Sequence, residues 1–397
     1  MRHIKNGLLI AAACMAVAGP ASAQKVVYFN GATSSGPEYI FNQYICTFDP
    51  NANIGRDVRG AAMRMAAPNG GTVRRVYSRA IRGFSLNISE AGLSQMIRQN
   101  PHIQHCEQDQ VMRVEPIIAA PPSGRKPDKG GSGDTGSTPT EDIIPWGVQR
   151  VHGGTGDYSG SCVYVIDTGI EASHPDLNVD TTYSKSFGRD SDWNDYNGHG
   201  THVSGTVAAK LDKSGVVGVA PGAWVVAVRV LERNGSGSYS NVIAGVDYVA
   251  GKPGNCQVAN MSLGGPASDT LDAAVRGAAS KGVKFTIAAG NSSADANNYS
   301  PARVEYPGVY TVSAFKSGDL WATFSNYGSN VDNRPIEYGE PGQSILSTWK
   351  GGDYKTISGT SMAAPHLAGI LLHGLPKTEG NVTGDPDGKA DPIGVVP

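Results

Sequence analysis

Residues 162–170 read CVYVIDTGI, an apolar and largely β-branched run that ends in an acidic residue and a glycine turn. A run of this kind is typical of a strand buried on both faces of a parallel sheet. Similar runs recur as AWVVAVRVL, VANMSL, VKFTIAAG and VYTVSAF, and helical stretches such as NVIAGVDYVAG and DTLDAAVRGAASKG lie between them. This alternation predicts an α/β fold, a parallel sheet covered by helices on both faces. Functional groups in such sheets gather at the carboxyl ends of the strands.

Three polar residues stand where a predicted strand ends or a predicted helix begins: Asp167 in CVYVIDTGI, His199 in NGHGTHVSG and Ser361 in SGTSMAAPH. A serine hydroxyl becomes an effective nucleophile when a histidine accepts its proton, and a carboxylate then fixes the tautomer of that histidine. Ser361 precedes a helical run in which Pro365 is expected to fall in the first turn, where proline is tolerated. The three segments together predict a nucleophile, a base and an acid at one site.

An acyl-transfer site also needs hydrogen-bond donors for the oxyanion that develops during the reaction. Asn291 follows the strand VKFTIAAG and is the candidate side-chain donor, with the backbone N–H of Ser361 as the second donor. The helix N-terminus at Ser361 also favours negative charge.

These motifs resemble the subtilases, and they are most similar to the proteinase K subfamily. The resemblance rests on IDTGIEASHPDL, NGHGTHVSGT, RVLERNGSGSYS, SLGG, AAGNSSADANNYSPA, SNYGS and SILSTW, and it extends from about residue 145 to residue 372. It implies a subtilisin-like sheet, a triad of Asp167, His199 and Ser361, and Asn291 as the oxyanion donor. The implied reaction is hydrolysis of peptide bonds through an acyl-enzyme on Ser361, with no cofactor for catalysis.

The resemblance also implies a substrate-binding cleft in which two edge segments clamp an extended peptide. The edge segments are Gly235, Ser236 and Gly237 and, opposite them, Ser262, Leu263 and Gly264; Ala288, Ala289 and Gly290 line the primary pocket, and Tyr239 lies at a more distal subsite. Small pocket residues predict broad specificity.

A structural calcium ion is implied at the carbonyls of Pro307 and Val309 and the carboxylate of Glu337, since oxygen ligands suit this cation. Two residues are inserted before Pro307, and the family usually carries Asp at the position of Glu337.

The first 23 residues are typical of an export signal. Arg2 and Lys5 precede an apolar run at 7–19, and a small-residue cleavage site, Ala-Ser-Ala, comes before Gln24. The run is too short to span a bilayer. Cys14 could alternatively be a lipidation site, although it lies inside the apolar run. We therefore expect a secreted protein with no membrane attachment once the signal is removed.

Two further parts precede the region that resembles a peptidase. Residues 36–115 alternate as strand, helix, strand, strand, helix, strand, which predicts a ferredoxin-like α+β unit, and this unit resembles the family's inhibitory propeptide. A stretch rich in Pro, Gly, Ser and Thr then predicts an exposed linker. The predicted domains are the signal (1–23), the inhibitory propeptide (24–115), the linker (116–140) and the catalytic domain (141–397).

Four cysteines follow the signal, two on each side of the linker. In an oxidising compartment they predict one disulfide in each part, with four unpaired buried thiols as the alternative. First and last strands are neighbours in a ferredoxin-like unit, so Cys46 and Cys106 would face each other. The resemblance adds that Cys162 matches one half of a family disulfide, with Cys256 as its partner.

The composition limits the partners of the protein. Its 397 residues include 33 Lys+Arg and 35 Asp+Glu, and only 17% of all residues are charged, which disfavours nucleic acid as the main partner. Residues 24–140 carry a net charge of +4 and residues 141–397 a net charge of −8, so these parts could attract each other. We expect polypeptide substrates, the chain's own propeptide as an intramolecular inhibitor, and a monomer.

Other patterns have weaker support. A second Asp-Thr-Gly triplet at Asp134 accompanies that of Asp167, as an aspartic protease requires, but Asp134 stands in the linker. His199 and His202 could form a metal pair, but the Glu of a zincin helix is missing, so His202 is expected to be a packing residue. Three glycosylation sequons, which begin at Asn234, Asn260 and Asn291, fall inside the predicted cleft and are expected to carry no glycan.

Two rival functions remain open: a catalytically inactive subtilase that binds peptides, and a processing protease with narrow specificity. All four catalytic side chains are present, which disfavours the first, and the small pocket residues disfavour the second. The C-terminal part departs most from the family, because only 36 residues follow Ser361 and they end in an irregular segment. The sequence does not predict how this short end covers the core.

Overall fold

The computed structural model describes residues 37–114, 141–328 and 336–397. The predicted signal (1–23) and linker (116–140) lie outside these residues. Within the described part of the chain, no helix combines the length and the apolar character needed to cross a bilayer.

Residues 37–114 form an α+β sandwich, here called the N-terminal unit. Its elements are β1 (Tyr39–Phe48), α1 (Val58–Ala66), β2 (Thr72–Tyr77), β3 (Gly83–Asn87), α2 (Glu90–Gln99) and β4 (Ile103–Arg113). The strand order is β2-β3-β1-β4, so the first and last strands are neighbours, as the sequence predicts. Cys46 and Cys106 lie opposite each other in the β1–β4 register and form a disulfide.

Residues 141–328 and 336–397 form the second unit, here called the peptidase unit after the resemblance of its sequence. Its helices are α3 (Trp146–Arg150), α4 (His199–Ala208), α5 (Tyr239–Val249), α6 (Asp269–Ala279) and α7 (Thr360–His373). Its strands are β5 (Cys162–Asp167), β6 (Asn178–Val179), β7 (Lys185–Ser186), β8 (Trp224–Arg229), β9 (Ser236–Ser238), β10 (Val258–Met261), β11 (Gly265–Pro266), β12 (Lys284–Ala288), β13 (Tyr299–Ser300), β14 (Val309–Lys316), β15 (Leu320–Trp321), β16 (Tyr338–Pro341), β17 (Ile345–Trp349), β18 (Asp353–Ile357), β19 (Lys377–Asn381) and β20 (Pro392–Val395).

The peptidase unit is built on one sheet with helices on both faces. The order β16-β14-β12-β10-β5-β8 is parallel throughout. Val163 and Val165 of β5 pack in a core with α4 and α7, whereas Tyr164 and Ile166 pack in the opposite core with α5 and α6. This confirms the α/β fold that the apolar runs predict. The Cys162–Cys256 disulfide is also present.

The short C-terminal segment covers one edge of the sheet. After α7, the chain forms a hairpin of β19 and β20, and β20 lies parallel to β16. Val382 and Ile393 of this segment pack against Phe315 and Trp321. Strands therefore close this side of the core in place of further helix.

Candidate active site

Asp167 and His199 are joined by a hydrogen bond at the carboxyl end of β5. Asp167 is the last residue of β5, His199 is the first residue of α4, and both side chains are buried. His199 Nδ1 lies 2.8 Å from Oδ1 and 3.0 Å from Oδ2 of Asp167. The helix approaches the strand end this closely because residue 200 is glycine: a Cβ there would lie 2.1 Å from the carbonyl oxygen of Gly169. The structure thus brings together the predicted acid and the predicted base.

The electrostatic surroundings of His199 favour its protonated form. Burial lowers the pKa of His199, but the charge of Asp167, the hydrogen bond to Asp167 and the charge of Asp195 raise it, and the net shift is upward. Because Nδ1 points to Asp167, Nε2 is the ring nitrogen left to accept a proton. A raised pKa and a defined accepting nitrogen make His199 suitable for general acid–base catalysis.

Ser361 lies in the first turn of α7, and α7 packs against α4. Its hydroxyl donates to the carbonyl oxygen of Ser262 at 3.2 Å, while the Ser262 hydroxyl donates to the carbonyl oxygen of Ser361 at 2.8 Å. The two serines are therefore tied together in both directions. In this structure the Ser361 hydroxyl is directed to Ser262 and not to His199.

Pro365 lies in the second turn of α7, so the prediction that it falls in the first turn is wrong. The helix begins at Thr360, two residues before the run that the sequence suggests. A proline inside a helix leaves the carbonyl four residues earlier without an N–H donor. That carbonyl belongs to Ser361, and the Ser262 hydroxyl supplies the donor. A tertiary hydrogen bond, and not the position in the helix, makes the proline compatible with α7.

Asn291 lies beside the start of α7 with a defined amide orientation. Its Oδ1 accepts from the Thr360 backbone N–H at 2.8 Å and from the Thr360 hydroxyl at 2.9 Å. The Thr360 hydroxyl itself accepts from the Gly290 N–H at 3.1 Å, so its proton is free to be donated to Asn291. The oxygen of the amide is thereby engaged, and its NH₂ group is left to donate to another acceptor. Thr360, the residue before Ser361, thus holds the amide of Asn291 in place.

The predicted edge segments contact the N-terminal unit. Residues 111–113 of β4 pair antiparallel with β9, and Arg113 also bridges Gly264. The Val114 N–H donates to the Gly235 carbonyl at 2.8 Å. The end of β4 therefore lies as an additional strand between the two segments that are predicted to clamp a substrate.

The predicted pocket residues are buried near the same edge. Ala288, Ala289 and Gly290 follow one another at the end of β12. Gly290 has φ +107°, and a Cβ there would lie 2.3 Å from Asn326 Nδ2, so this position requires glycine. Tyr239 is buried in a cluster with Met112 and Leu263, and its hydroxyl donates to the Pro266 carbonyl at 2.6 Å. Tyr239, the predicted distal subsite, thus belongs to the same buried cluster as Met112 of β4.

His202 is a packing residue. Its Nε2 lies 3.1 Å from the Ile345 carbonyl and 3.0 Å from the Lys355 carbonyl, so this nitrogen carries the proton. Burial lowers the pKa of His202 to about 3, which keeps the ring neutral. Nε2 is thus not available to a metal ion, which argues against a pair with His199.

The residues predicted to bind calcium line one surface depression. Pro307, Val309 and Glu337 share a cavity of ≈ 490 Å³ with Glu305, Tyr306, Gly308 and Tyr310. One carboxylate oxygen of Glu337 accepts from the Thr311 N–H at 2.7 Å, which fixes the orientation of the carboxylate. No group of three or more His, Cys, Asp or Glu side chains suited to a metal occurs in the described ranges. The groups predicted to bind the ion, two carbonyls and one carboxylate, are oxygen donors, which fit a hard cation.

Comparison with known proteins identifies the family. A family model described as "Subtilase family" matches residues 158–378. The chain belongs to the subtilase family. This confirms the resemblance on which the sequence interpretation rests, and members of this family need no cofactor for catalysis.

Similar proteins cover both units of this subtilase. It is 42% identical over 309 residues to alkaline serine exoprotease A from Vibrio alginolyticus, an alignment that spans 75% of this chain and 52% of that protein. It is 36% identical to the cuticle-degrading protease from Metarhizium anisopliae, which covers 88% of this chain and 84% of that relative. It is also 36% identical to Proteinase R from Parengyodontium album, across 76% and 72% of the two chains.

A solved structure shares the fold of this subtilase. The crystal structure of a cold adapted subtilisin-like serine proteinase is 40% identical, has a TM-score of 0.54 and covers 64% of this chain and 98% of its own. The chain is thus similar over nearly all of that structure, which confirms the subtilisin-like fold class.

Sequence reasoning missed two residues that organise the site. Thr360 anchors Asn291, and Asp195 accepts hydrogen bonds from the segments on either side of His199. Thr360 stands next to the predicted nucleophile, and Asp195 stands four residues before the predicted base. Proximity to a motif was the signal that could have found them, because Asn291 is distant in sequence from Thr360 and Thr168 is distant from Asp195.

Proposed function

We propose that this chain is a secreted serine endopeptidase with broad specificity that is made as an autoinhibited precursor. The observation that carries the proposal is the hydrogen bond between buried Asp167 and His199, at the start of a helix that packs against α7, the helix of Ser361. Polypeptides are the substrates, as in the family.

The proposed reaction uses Ser361 as the nucleophile. A rotation of its side chain turns the hydroxyl from Ser262 to His199 Nε2, which takes the proton while Oγ bonds to the substrate carbonyl carbon. The imidazolium, stabilised by Asp167, then gives this proton to the leaving amine as the C–N bond breaks. His199 then takes a proton from water as the water oxygen bonds to the carbonyl carbon of the ester, and it gives this proton to Ser361 Oγ as the ester C–O bond breaks. No electrons are gained or lost in this cycle.

The oxyanion that forms in each half-reaction needs donors placed in advance. We assign this role to the Asn291 NH₂ group and the Ser361 backbone N–H. The two hydrogen bonds from Thr360 to the Asn291 oxygen support the assignment, because they hold the amide with its NH₂ group free. The positive end of the α7 dipole acts in the same direction.

The substrate is proposed to bind as a strand between Gly235–Gly237 and Ser262–Gly264. The support is that residues 111–114 of this chain already pair with those edges. Main-chain pairing recognises any extended peptide. Small residues at Ala288, Ala289 and Gly290 add little selection, so cleavage is expected at many sequences.

The N-terminal unit is proposed to act as the inhibitor of the precursor. Its last strand pairs with the two edges that are proposed to bind a substrate, and cleavage in the segment 116–140 would separate it from the peptidase unit. The proposed domain boundaries are 1–23, 24–115, 116–140 and 141–397. The mature enzyme is proposed to act as a monomer outside the cell, where its Cys162–Cys256 disulfide is stable.

The proposed function is tested by labelling secreted protein with a fluorophosphonate. The parent protein should be labelled, and Ser361→Ala should not be labelled and should accumulate as the uncut precursor. No label on folded parent protein would favour the rival, an inactive subtilase that binds peptides. A peptide library then tests specificity, since cleavage confined to one motif would favour the rival processing protease. Normal maturation of Ser361→Ala would show that another protease cuts the precursor.

A structural calcium ion is proposed at Pro307, Val309 and Glu337. The common cavity and the oriented Glu337 carboxylate support it. Chelation should lower the inactivation temperature of the parent enzyme, and Glu337→Gln should lower it without chelator and remove most of the response. An unchanged midpoint in excess chelator would refute the proposal.

A further inference from the structure

Asp195 is a second buried carboxylate beside the predicted triad, with 3% of its surface exposed. It accepts five hydrogen bonds. Oδ1 accepts from the N–H groups of Asn197 and Gly198 and from the Thr168 hydroxyl, each at 2.9 Å. Oδ2 accepts from the Thr201 N–H at 2.9 Å and the Thr201 hydroxyl at 2.7 Å. All the accepting capacity of the carboxylate is directed to this small region.

The donors come from the two segments that carry the acid and the base. Thr168 directly follows Asp167, while Gly198 and Thr201 flank His199. The Thr168 hydroxyl, whose proton goes to Asp195, accepts in turn from the Gly200 N–H at 3.0 Å. One carboxylate thus connects the end of β5 with the first turn of α4, across the same gap that the bond between Asp167 and His199 spans.

We infer that Asp195 is a positioning residue for the proposed protease reaction, holding Asp167 against His199 and stabilising, through its negative charge, the imidazolium that forms on His199. This inference deepens the proposed function and rests on it. The five hydrogen bonds of Asp195 come from residues beside Asp167 and His199 and not from Ser361, so it is assigned a positioning role.

The charge of Asp195 is left free to act on His199. Within the described ranges it makes no ion pair with Lys or Arg, so only dipoles of N–H and O–H groups stabilise it. A helix N-terminus also favours a negative charge at this place. Both groups are buried, so salt screens their interaction little.

Within the described part of the chain, the only charges that shift the pKa of His199 are those of Asp167 and Asp195, and both raise it. The titratable side chains facing His199 are Asp167 from β5, Asp195 from the preceding loop and His202 from its own helix. His366 of α7 lies near His202. Burial lowers the pKa of His202 to about 3 and that of His366 to about 4, so both rings are neutral. The pKa of His199 is raised by Asp167 first and by Asp195 in addition.

The test is the pH profile of kcat/KM for Asp195→Asn, with Thr201→Val as the matched control. Asp195→Asn removes the charge and keeps the size of the side chain. The acidic limb, which reports His199 in the free enzyme, should move to lower pH by about half a unit, and kcat/KM on the plateau should fall about tenfold or more. Thr201→Val removes one donor but keeps the charge, so its Tm should fall while its acidic limb stays at the parent pH.

If Asp195 only stabilises the fold at the first turn of α4, the test gives a different result. In that case Asp195→Asn and Thr201→Val would lower Tm alike and leave the acidic limb in place, and that outcome overturns the inference. If Asp195→Asn does not fold, Asp195→Glu is tested in its place. A lowered kcat with the acidic limb at the parent pH supports the positioning role, and a kcat equal to that of the parent refutes it. Fluorophosphonate labelling of the parent separates the two proposals. A parent protein that is not labelled refutes the protease function. A labelled parent, together with an Asp195→Asn variant whose acidic limb stays at the parent pH, refutes only this inference.

Discussion

Ser262→Ala is expected to destabilise the start of α7 and to lower turnover. The Ser262 hydroxyl accepts from Asn260 Nδ2 and donates to the Ser361 carbonyl, both at 2.8 Å. Pro365 has no N–H with which to replace the second bond. The substitution therefore leaves one buried donor and one buried acceptor unpaired, at about 1–3 kcal/mol each. The free energy of unfolding should fall by about 2–6 kcal/mol, and kcat should fall because the backbone of the nucleophile loses its anchor.

A double-mutant cycle with Pro365→Ala isolates the cause of this loss. Alanine at 365 supplies an N–H that can donate to the Ser361 carbonyl, as in an uninterrupted helix. Ser262→Ala/Pro365→Ala should therefore recover about 1–3 kcal/mol relative to Ser262→Ala, while Asn260 stays unpaired. The assay is denaturant unfolding followed by circular dichroism, on enzyme blocked with a fluorophosphonate so that autolysis does not interfere. Effects that add within about 0.5 kcal/mol would refute the reasoning.

Three further predictions concern the oxyanion donor, a close approach and a buried acid. Asn291→Ala should lower kcat about 10²–10³-fold with little change in KM, a magnitude taken from subtilisin itself and not worked out from this structure. Steady-state kinetics on a peptide substrate measure both constants, and a rise in KM alone would contradict the prediction. Gly200→Ala places a Cβ 2.1 Å from the Gly169 carbonyl oxygen, so Tm and kcat/KM should both fall, and a parent-like Tm would show that α4 and β5 can separate at no cost. Glu340 is fully buried, and burial raises its pKa well above the ordinary value of 4.5, although the charge of Arg150 lowers it. The folded state thus favours the protonated form, and stability is present below about pH 4.5 and is lost as the pH rises; Glu340→Gln should raise Tm at pH 9 and leave it unchanged at pH 4, and an equal shift at both values would contradict this.

The sequence predicted the strands of the sheet because their apolar runs are buried on both faces. Residues 162–167, for example, are strand β5, and every one of them from Val163 onward is buried. It also predicted the place of Asp167 and His199, since both stand at element ends, where parallel topology brings side chains to one edge. The local pattern of apolar and polar residues was sufficient to predict an element wherever the residues of that element determine its conformation.

The parts that the sequence did not predict depend on partners far along the chain. Pro365 is compatible with the interior of α7 only because Ser262, about a hundred residues earlier, donates to the carbonyl that the proline leaves open. The C-terminal segment forms strands because β16 offers it an edge, although its own Gly- and Pro-rich sequence predicts irregular structure. Asp195 stands in a loop motif, and its role becomes visible only when Thr168 is brought next to it. In each case a single tertiary contact overrides or completes the local signal.

The opposite net charges of the two units do not explain how the units associate. The N-terminal unit is the basic one, yet the side chains that it buries against the peptidase unit include Glu107 and Asp109. Glu107 accepts from the Ser268 hydroxyl at 2.5 Å, at the N-terminus of α6, and Asp109 accepts from the Ser240 N–H at 3.1 Å, in the first turn of α5. In the other direction, Asp247 accepts from three consecutive backbone N–H groups of the N-terminal unit. Helix ends and backbone donors favour negative charge wherever the fold places them, and buried contacts are screened little by salt. The fit of the proposed inhibitor therefore depends on these local dipoles and on strand pairing at β9, both of which belong to the fold and not to the overall charge.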